Sequence, residues 1–164
     1  MKKTTTTAAR QLHLSDDNDD VREQLLKLSP QERHAIIEQA KATLARTDFI
    51  AYNAYVHDWV LAPHQREWAR MMMTQKRGCI VAPPESGKSR LMRSWVEWSI
   101  GQAPNIAVLL IQNTARQANL QVAAIANVLT SDKYQKGFPH VKATERWSGE
   151  KIFIERDTMR PRSS

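Results

Sequence analysis

One cysteine, Cys79, is the whole thiol content of this 164-residue chain. That excludes an internal disulfide framework and points to a reducing setting; inside its apolar run, Cys79 reads as a small core side chain. No apolar stretch approaches the roughly 18 residues needed to cross a bilayer. The N-terminus passes from Lys2 and Lys3 directly into four threonines, without the apolar region of a signal peptide. The five histidines, at 13, 34, 57, 64 and 140, are scattered without metal-ligand spacing, which argues against a resident zinc. Internal repeats are lacking too. Acidic residues are in the minority, 17 against 24 lysines and arginines, and the formal net charge of +7 fits a polyanionic partner and equally a basic protein with no nucleic-acid role.

The chain divides by pattern. Residues 1–20 are threonine-rich and then acidic, with little to bury, and read as a disordered tail. Residues 21–62 form a helical lead-in. Within it, Ser29-Pro30-Gln31-Glu32 combines an N-cap serine, a proline at the first helical position and a glutamate three residues after the cap. It predicts a helix to about Arg46, with Ala35, Ile36, Ala40 and Leu44 along one side. Asp48 opens a shorter helix carrying Phe49, Tyr52, Tyr55 and Val56, a stripe read as core. Pro63 interrupts, and a helix resumes from His64 to Met73.

From Gly78 the pattern changes. Cys79-Ile80-Val81-Ala82 is an apolar run without polar alternation, as expected of a strand covered on both faces. A helix follows from Lys88 to Ile100, with Leu91, Trp95 and Trp98 on one face, Met92 and Val96 beside it, and Gly101 and Pro104 as stop signals. Ile106–Ile111 reads as a second buried strand. Asn113 or Thr114 then caps a helix burying Ala118, Val122, Ile125 and Leu129. This alternation predicts a βαβ unit with a parallel sheet. After Ser131 the chain is expected to loop through Gly137 and Pro139 before a short edge strand at Ile152–Ile154.

The chemistry concentrates between the first strand and its helix. Ala82-Pro83-Pro84-Glu85-Ser86-Gly87-Lys88-Ser89 matches the phosphate-binding P-loop, or Walker A, pattern except that alanine opens it. Gly-Lys-Ser alone is a weak signal, and the flanking strand and helix make it specific. Backbone N–H groups turned inward at a helix N-terminus form an anion nest. In this reading Pro84, Glu85, Ser86, Gly87, Lys88, Ser89 and Arg90 bind the nucleotide. Lys88 is the catalytic cation on the β- and γ-phosphates, and Ser89 is the Mg²⁺ ligand. Pro83 and Pro84 lack N–H groups and stiffen the approach. Hydrolysis also needs carboxylates at the end of a later apolar strand. Only Ile152-Phe153-Ile154-Glu155, with Asp157 nearby, offers them, and it reads as a peripheral strand.

From about Phe49 onward, the chain resembles the N-terminal ATPase domain of tailed-bacteriophage terminase large subunits, the motors that package DNA. The resemblance rests on Ala62-Pro63-His64-Gln65 and on Val81 to Pro84 leading into Gly87-Lys88-Ser89. Further along it rests on Ile100 to Pro104, Ser131 to Tyr134 before Phe138-Pro139, Trp147, and Ile154-Glu155-Arg156. It implies an α/β fold, a RecA/helicase-like P-loop NTPase with an incomplete parallel sheet behind a helical N-terminal segment. Residues 63–164 would be the first part of the ATPase core. ATP and Mg²⁺ are the implied cofactors, and Gln65 the residue that reads the adenine edge. Implied partners are double-stranded DNA, the phage portal, the small terminase subunit and further copies of the chain, in the bacterial host cytoplasm and with no membrane. Two departures stand out. Glu85 places an acid where many terminases carry a basic residue, unfavourable unless it faces away or pairs with Arg77, Arg90 or Arg93. The sequence also stops before the family's acidic strand, coupling motif and nuclease domain, so it reads as a truncated first third that binds ATP. Two other readings stay open: a basic DNA-binding or scaffold module with a vestigial loop, and a small P-loop kinase.

Overall fold

The structure, a computed structural model, describes residues 28–103, 105–142 and 151–154. They carry six helices: α1 (Pro30–Thr47), α2 (Phe49–Val56), α3 (Pro63–Thr74), α4 (Lys88–Gln102), α5 (Ala115–Leu129) and α6 (Asp132–Gly137). Two compact units divide within α1, between Ala40 and Lys41.

The described part of the first unit holds the start of α1. Here the capping box forms as the residue types require. Glu32 N–H donates to Ser29 Oγ at 3.3 Å, and Ser29 N–H donates to Glu32 Oε2 at 2.8 Å. The hydroxyl and carboxylate thus satisfy two amides that helix geometry leaves orphaned. These bonds to Ser29 hold the exposed Glu32 carboxyl below its ordinary value.

In the second unit, α4 packs against α2, α3 and α5, while α6 packs against α2 and α5. Asp48 caps α2 by accepting from Ile50 and Ala51 N–H, and Thr114 caps α5 by accepting from Gln117 N–H. The stripe at Phe49, Tyr52 and Tyr55 is buried as the spacing predicts. Phe49 meets the Trp95 ring edge-on at 5.2 Å, and the Trp98 indole N–H donates to Ala45 O. At the end of α1 the buried positions are Ala42 and Ala45, whereas Leu44, expected on the buried side, is exposed. A short helix, α6, replaces the loop expected after Ser131; Ser131 Oγ caps it through Tyr134 N–H.

The expected α/β class is overturned. Helix accounts for 63% of the described residues, and they contain no strand and no sheet. The segments 79–82 and 106–111 have no regular secondary structure. Val81, Leu109 and Ile111 are 91%, 82% and 80% exposed, so the two-sided burial predicted for them is not realised. Cys79, expected in the core, is exposed as well. The reason is that an apolar run reports only a preference to avoid water. A strand also needs a neighbour about 4.8 Å away presenting a row of N–H and C=O groups. Ile154 is an isolated bridge position, and no edge strand forms at 152–154. The expectations for residues 1–27, Pro104, Trp147, Glu155, Arg156 and Asp157 lie outside the described residues.

Gly101, expected to stop its helix, instead lies inside the last turn of α4, which ends at Gln102. A Cβ there would come within 2.5 Å of the Phe138 ring. The residue is glycine because an aromatic side chain rests on the helix backbone. Gly101→Ala should overpack this contact and destabilise the fold by about 1–3 kcal/mol, read as a lowered urea midpoint with unchanged slope.

At the centre of this unit, Glu97 is fully buried in the middle of α4. Its Oε2 lies 2.7 Å from His57 Nε2 and accepts from the Tyr52 hydroxyl at 3.1 Å. Its backbone carbonyl accepts from the Tyr134 hydroxyl at 2.9 Å. Burial, reinforced by the Glu97 carboxyl, raises the pKa of both tyrosines above the ordinary 10.0. A raised folded-state value contributes stability that is complete below pH 10 and is lost as the unfolded chain begins to ionise above it. Stability should therefore fall above pH 10. In Tyr134→Phe that fall should be shallower by up to roughly 1.4 kcal/mol per pH unit, measured as urea stability against pH.

Candidate phosphate-binding loop

Between the segment 79–82 and α4, the chain makes a tight turn at Pro84 and Glu85 and bends through Ser86 and Gly87. Two residues take left-handed backbone angles, Glu85 at φ 63° and Gly87 at φ 86°. Gly87 is the N-cap of α4 and supplies no side chain to cap it. The first N–H groups of α4 have no acceptor four residues back, which leaves a row of donors at the positive end of a 15-residue helix.

Most of the other predicted residues lie around that row, Arg90 excepted. Lys88 Nζ folds back over the loop and donates to the carbonyls of Ala82 at 3.3 Å and Pro83 at 3.1 Å. The Ser86 hydroxyl also donates to Pro83 O, at 2.8 Å. Ser89 is exposed one residue into the helix. Lys88 and Ser89 open onto a cleft of about 520 Å³, whose other walls include Met92, Arg93, Ile80 and Leu110.

Gln65 lies against the loop from the first turn of α3. It is buried, its Nε2 donates to Ser86 O at 3.0 Å, and its Oε1 accepts from Ala62 N–H at 2.9 Å. His64 Nε2 lies 3.4 Å from the same Ser86 carbonyl. Arg90 turns away from the loop: its guanidinium stacks 4.3 Å over the Trp59 ring and donates to His57 O. Arg93 donates to Gln121 and lies 3.9 Å from Glu97. Glu85 is exposed and forms no ion pair with Arg77, Arg90 or Arg93 among the described residues.

The donor set suits an Mg²⁺-bound polyphosphate. Mg²⁺ keeps several waters and takes few protein ligands beside substrate phosphates, so one hydroxyl, Ser89, is a sufficient protein contribution. Among the described residues no cluster of three or more histidine, cysteine or acidic side chains could hold a metal ion by itself. No helix among them is long and apolar enough to cross a membrane.

Sequence reasoning missed His57, Trp59, His64 and Glu97. For Glu97 a signal existed. It is an acid set three and four residues from Ile100 and Gly101 and three from Ser94, on the face that also holds Leu91. His64 adjoined the singled-out Gln65. Trp59 and His57 carried no local signal, because their partners come from α4.

Compared with protein-family models, curated proteins and solved structures, the chain finds no match in any of the three. The resemblance to terminases therefore stands on the motif residues alone.

A Cβ at position 87 would lie 2.5 Å from Gln65 Nε2, and the backbone there is left-handed. Gly87→Ala should cost about 1–3 kcal/mol of stability. Thermal denaturation reads that loss, and a displaced Gln65 side-chain amide resonance reports the accompanying distortion.

Proposed function

We propose that the Ala82–Ser89 loop binds the triphosphate of a nucleotide, ATP in the reading that the resemblance favours, together with Mg²⁺. The observation that carries this reading is the left-handed Gly87 at the uncapped start of α4, with the Lys88 ammonium folded over the same loop. Two backbone carbonyls hold Lys88, and both are weaker partners than a phosphate oxygen. An arriving polyphosphate would draw the ammonium off Ala82 and Pro83 and take up the free first-turn amides. Ser89 would direct its hydroxyl to the metal, which when bound neutralises phosphate charge. Pro84 and Glu85 form the turn, and the solvated Glu85 carboxylate stays clear of the anion. The acids considered for water activation, Glu155 and Asp157, lie outside the described residues, so the proposal concerns binding and assigns no hydrolytic step.

Following the resemblance, this binding would serve a DNA-packaging motor in the bacterial host cytoplasm. Duplex DNA, the portal, the small terminase subunit and other copies of the chain would be its partners. The net charge of +7 supports a polyanionic partner, and it equally favours the second reading, a basic DNA-binding module with a vestigial loop.

Lys88→Ala should weaken Mg²⁺-ATP binding by about 10- to 100-fold in calorimetric titration, the range expected for loss of a charged donor to phosphate. Equal affinity in the variant and the parent would sink the nucleotide reading. Duplex binding with a steep salt dependence, indifferent to nucleotide, would favour the DNA-binding module.

A further inference from the structure

We infer that Gln65 is a positioning residue of the phosphate loop and leaves the base unread, a proposal that rests on the nucleotide reading above. Ala62 N–H can only donate and Ser86 O can only accept, so the two contacts demand the same orientation of the Gln65 amide: oxygen toward Ala62, nitrogen toward Ser86. Reading an adenine edge needs that donor and acceptor presented side by side to the base. Here they are turned to two different backbone groups, and the residue is only 8% exposed. Space is short as well, since Gly87 lies so close that a single added carbon would meet Nε2.

What Gln65 does follows from peptide geometry. The Ser86–Gly87 peptide is planar and trans, so its C=O and N–H point in opposite directions. Gln65 draws the Ser86 oxygen toward α3, with His64 Nε2 beside it at 3.4 Å. The Gly87 N–H is thereby aimed away from α3. Through one hydrogen bond, a side chain 21 residues upstream sets the direction of a loop donor. Its contribution falls on phosphate binding and is independent of the base.

The test is titration of the full chain and of Gln65→Glu with Mg²⁺ and each of three probes: ATP, GTP and inorganic tripolyphosphate. The substitution keeps an acceptor for Ala62 and sets an oxygen against Ser86 O. All three affinities should weaken by one common factor of about tenfold, leaving the ATP-to-GTP ratio unchanged. Loss of that ratio with tripolyphosphate binding intact would make Gln65 a base reader and overturn the proposal; so would three unchanged affinities. A wild-type chain that binds none of the probes would remove the phosphate site itself, and this role with it. Should Gln65→Glu fail to fold, the wild-type chain answers by nuclear magnetic resonance. The Gln65 side-chain amide should be slow to exchange and shift alike with tripolyphosphate and ATP, and a shift seen only with the nucleotides would count against the role.

Discussion

The Glu97 carboxyl, fully buried halfway along α4, is the constraint around which the second unit is arranged. A carboxyl group moved out of water costs several kcal/mol unless hydrogen bonds replace its hydration. The chain meets that requirement at Oε2 alone; Oε1 is buried without a hydrogen-bond partner, with Arg93 Nε 3.9 Å away. Tyr52 and the end of α2 supply partners on the side chain, and Tyr134 of α6 reaches the backbone carbonyl of the same residue. Each contact joins elements far apart in sequence, so α4 is held as a rod between them. His57, which contacts Glu97, also offers its carbonyl to Arg90, and Arg90 stacks on Trp59. The polar centre of the unit and the start of α4 are thus mechanically connected.

That connection matters because the candidate loop is the N-terminal extension of the same helix. A phosphate nest works only if its donors are held in place before the anion arrives; otherwise the anion must also offset the cost of ordering the loop. Here the order comes from several contacts. Gly87 adopts left-handed angles, Gln65 holds the Ser86 carbonyl with His64 Nε2 3.4 Å from it, and Lys88 and Ser86 bond to carbonyls of the approach. The Lys88 contacts are ones that a polyphosphate can exchange for better ones. The contacts of Gln65 reach the loop from α3, so in the proposed binding mode an anion would not compete for them. In the proposed binding mode the loop would combine a fixed back with a cation that changes partners.

Electrostatics across the loop are less uniform than the net charge suggests. Of the nearby arginines, Arg90 stacks on an indole and Arg93 turns toward Gln121 and Glu97, so neither neutralises Glu85. The acid stands in solvent, where screening makes it a small opposing influence on a bound anion. Lys88 is the cation in direct contact with the loop.

The sequence by itself determined what depends on neighbours three or four residues apart. Ser29, Asp48 and Thr114 cap helices because a short side-chain oxygen meets an amide two or three residues on, whatever the rest of the chain does. The turn before α4 was legible for the same reason, since glycine can adopt its backbone angles and the residues following it favour a helix. Only the tertiary structure decided the fate of the apolar runs at 79–82 and 106–111. Their composition states that they avoid water, but pairing requires a second backbone alongside, and that lies beyond any local pattern. The same holds for Gly101, set by Phe138 37 residues away, and for Glu97, whose partners come from two other parts of the chain. Gln65 stands between the two cases. Its capping contact with Ala62 is local, but its hold on Ser86 exists because the fold brings the start of α3 against the start of α4.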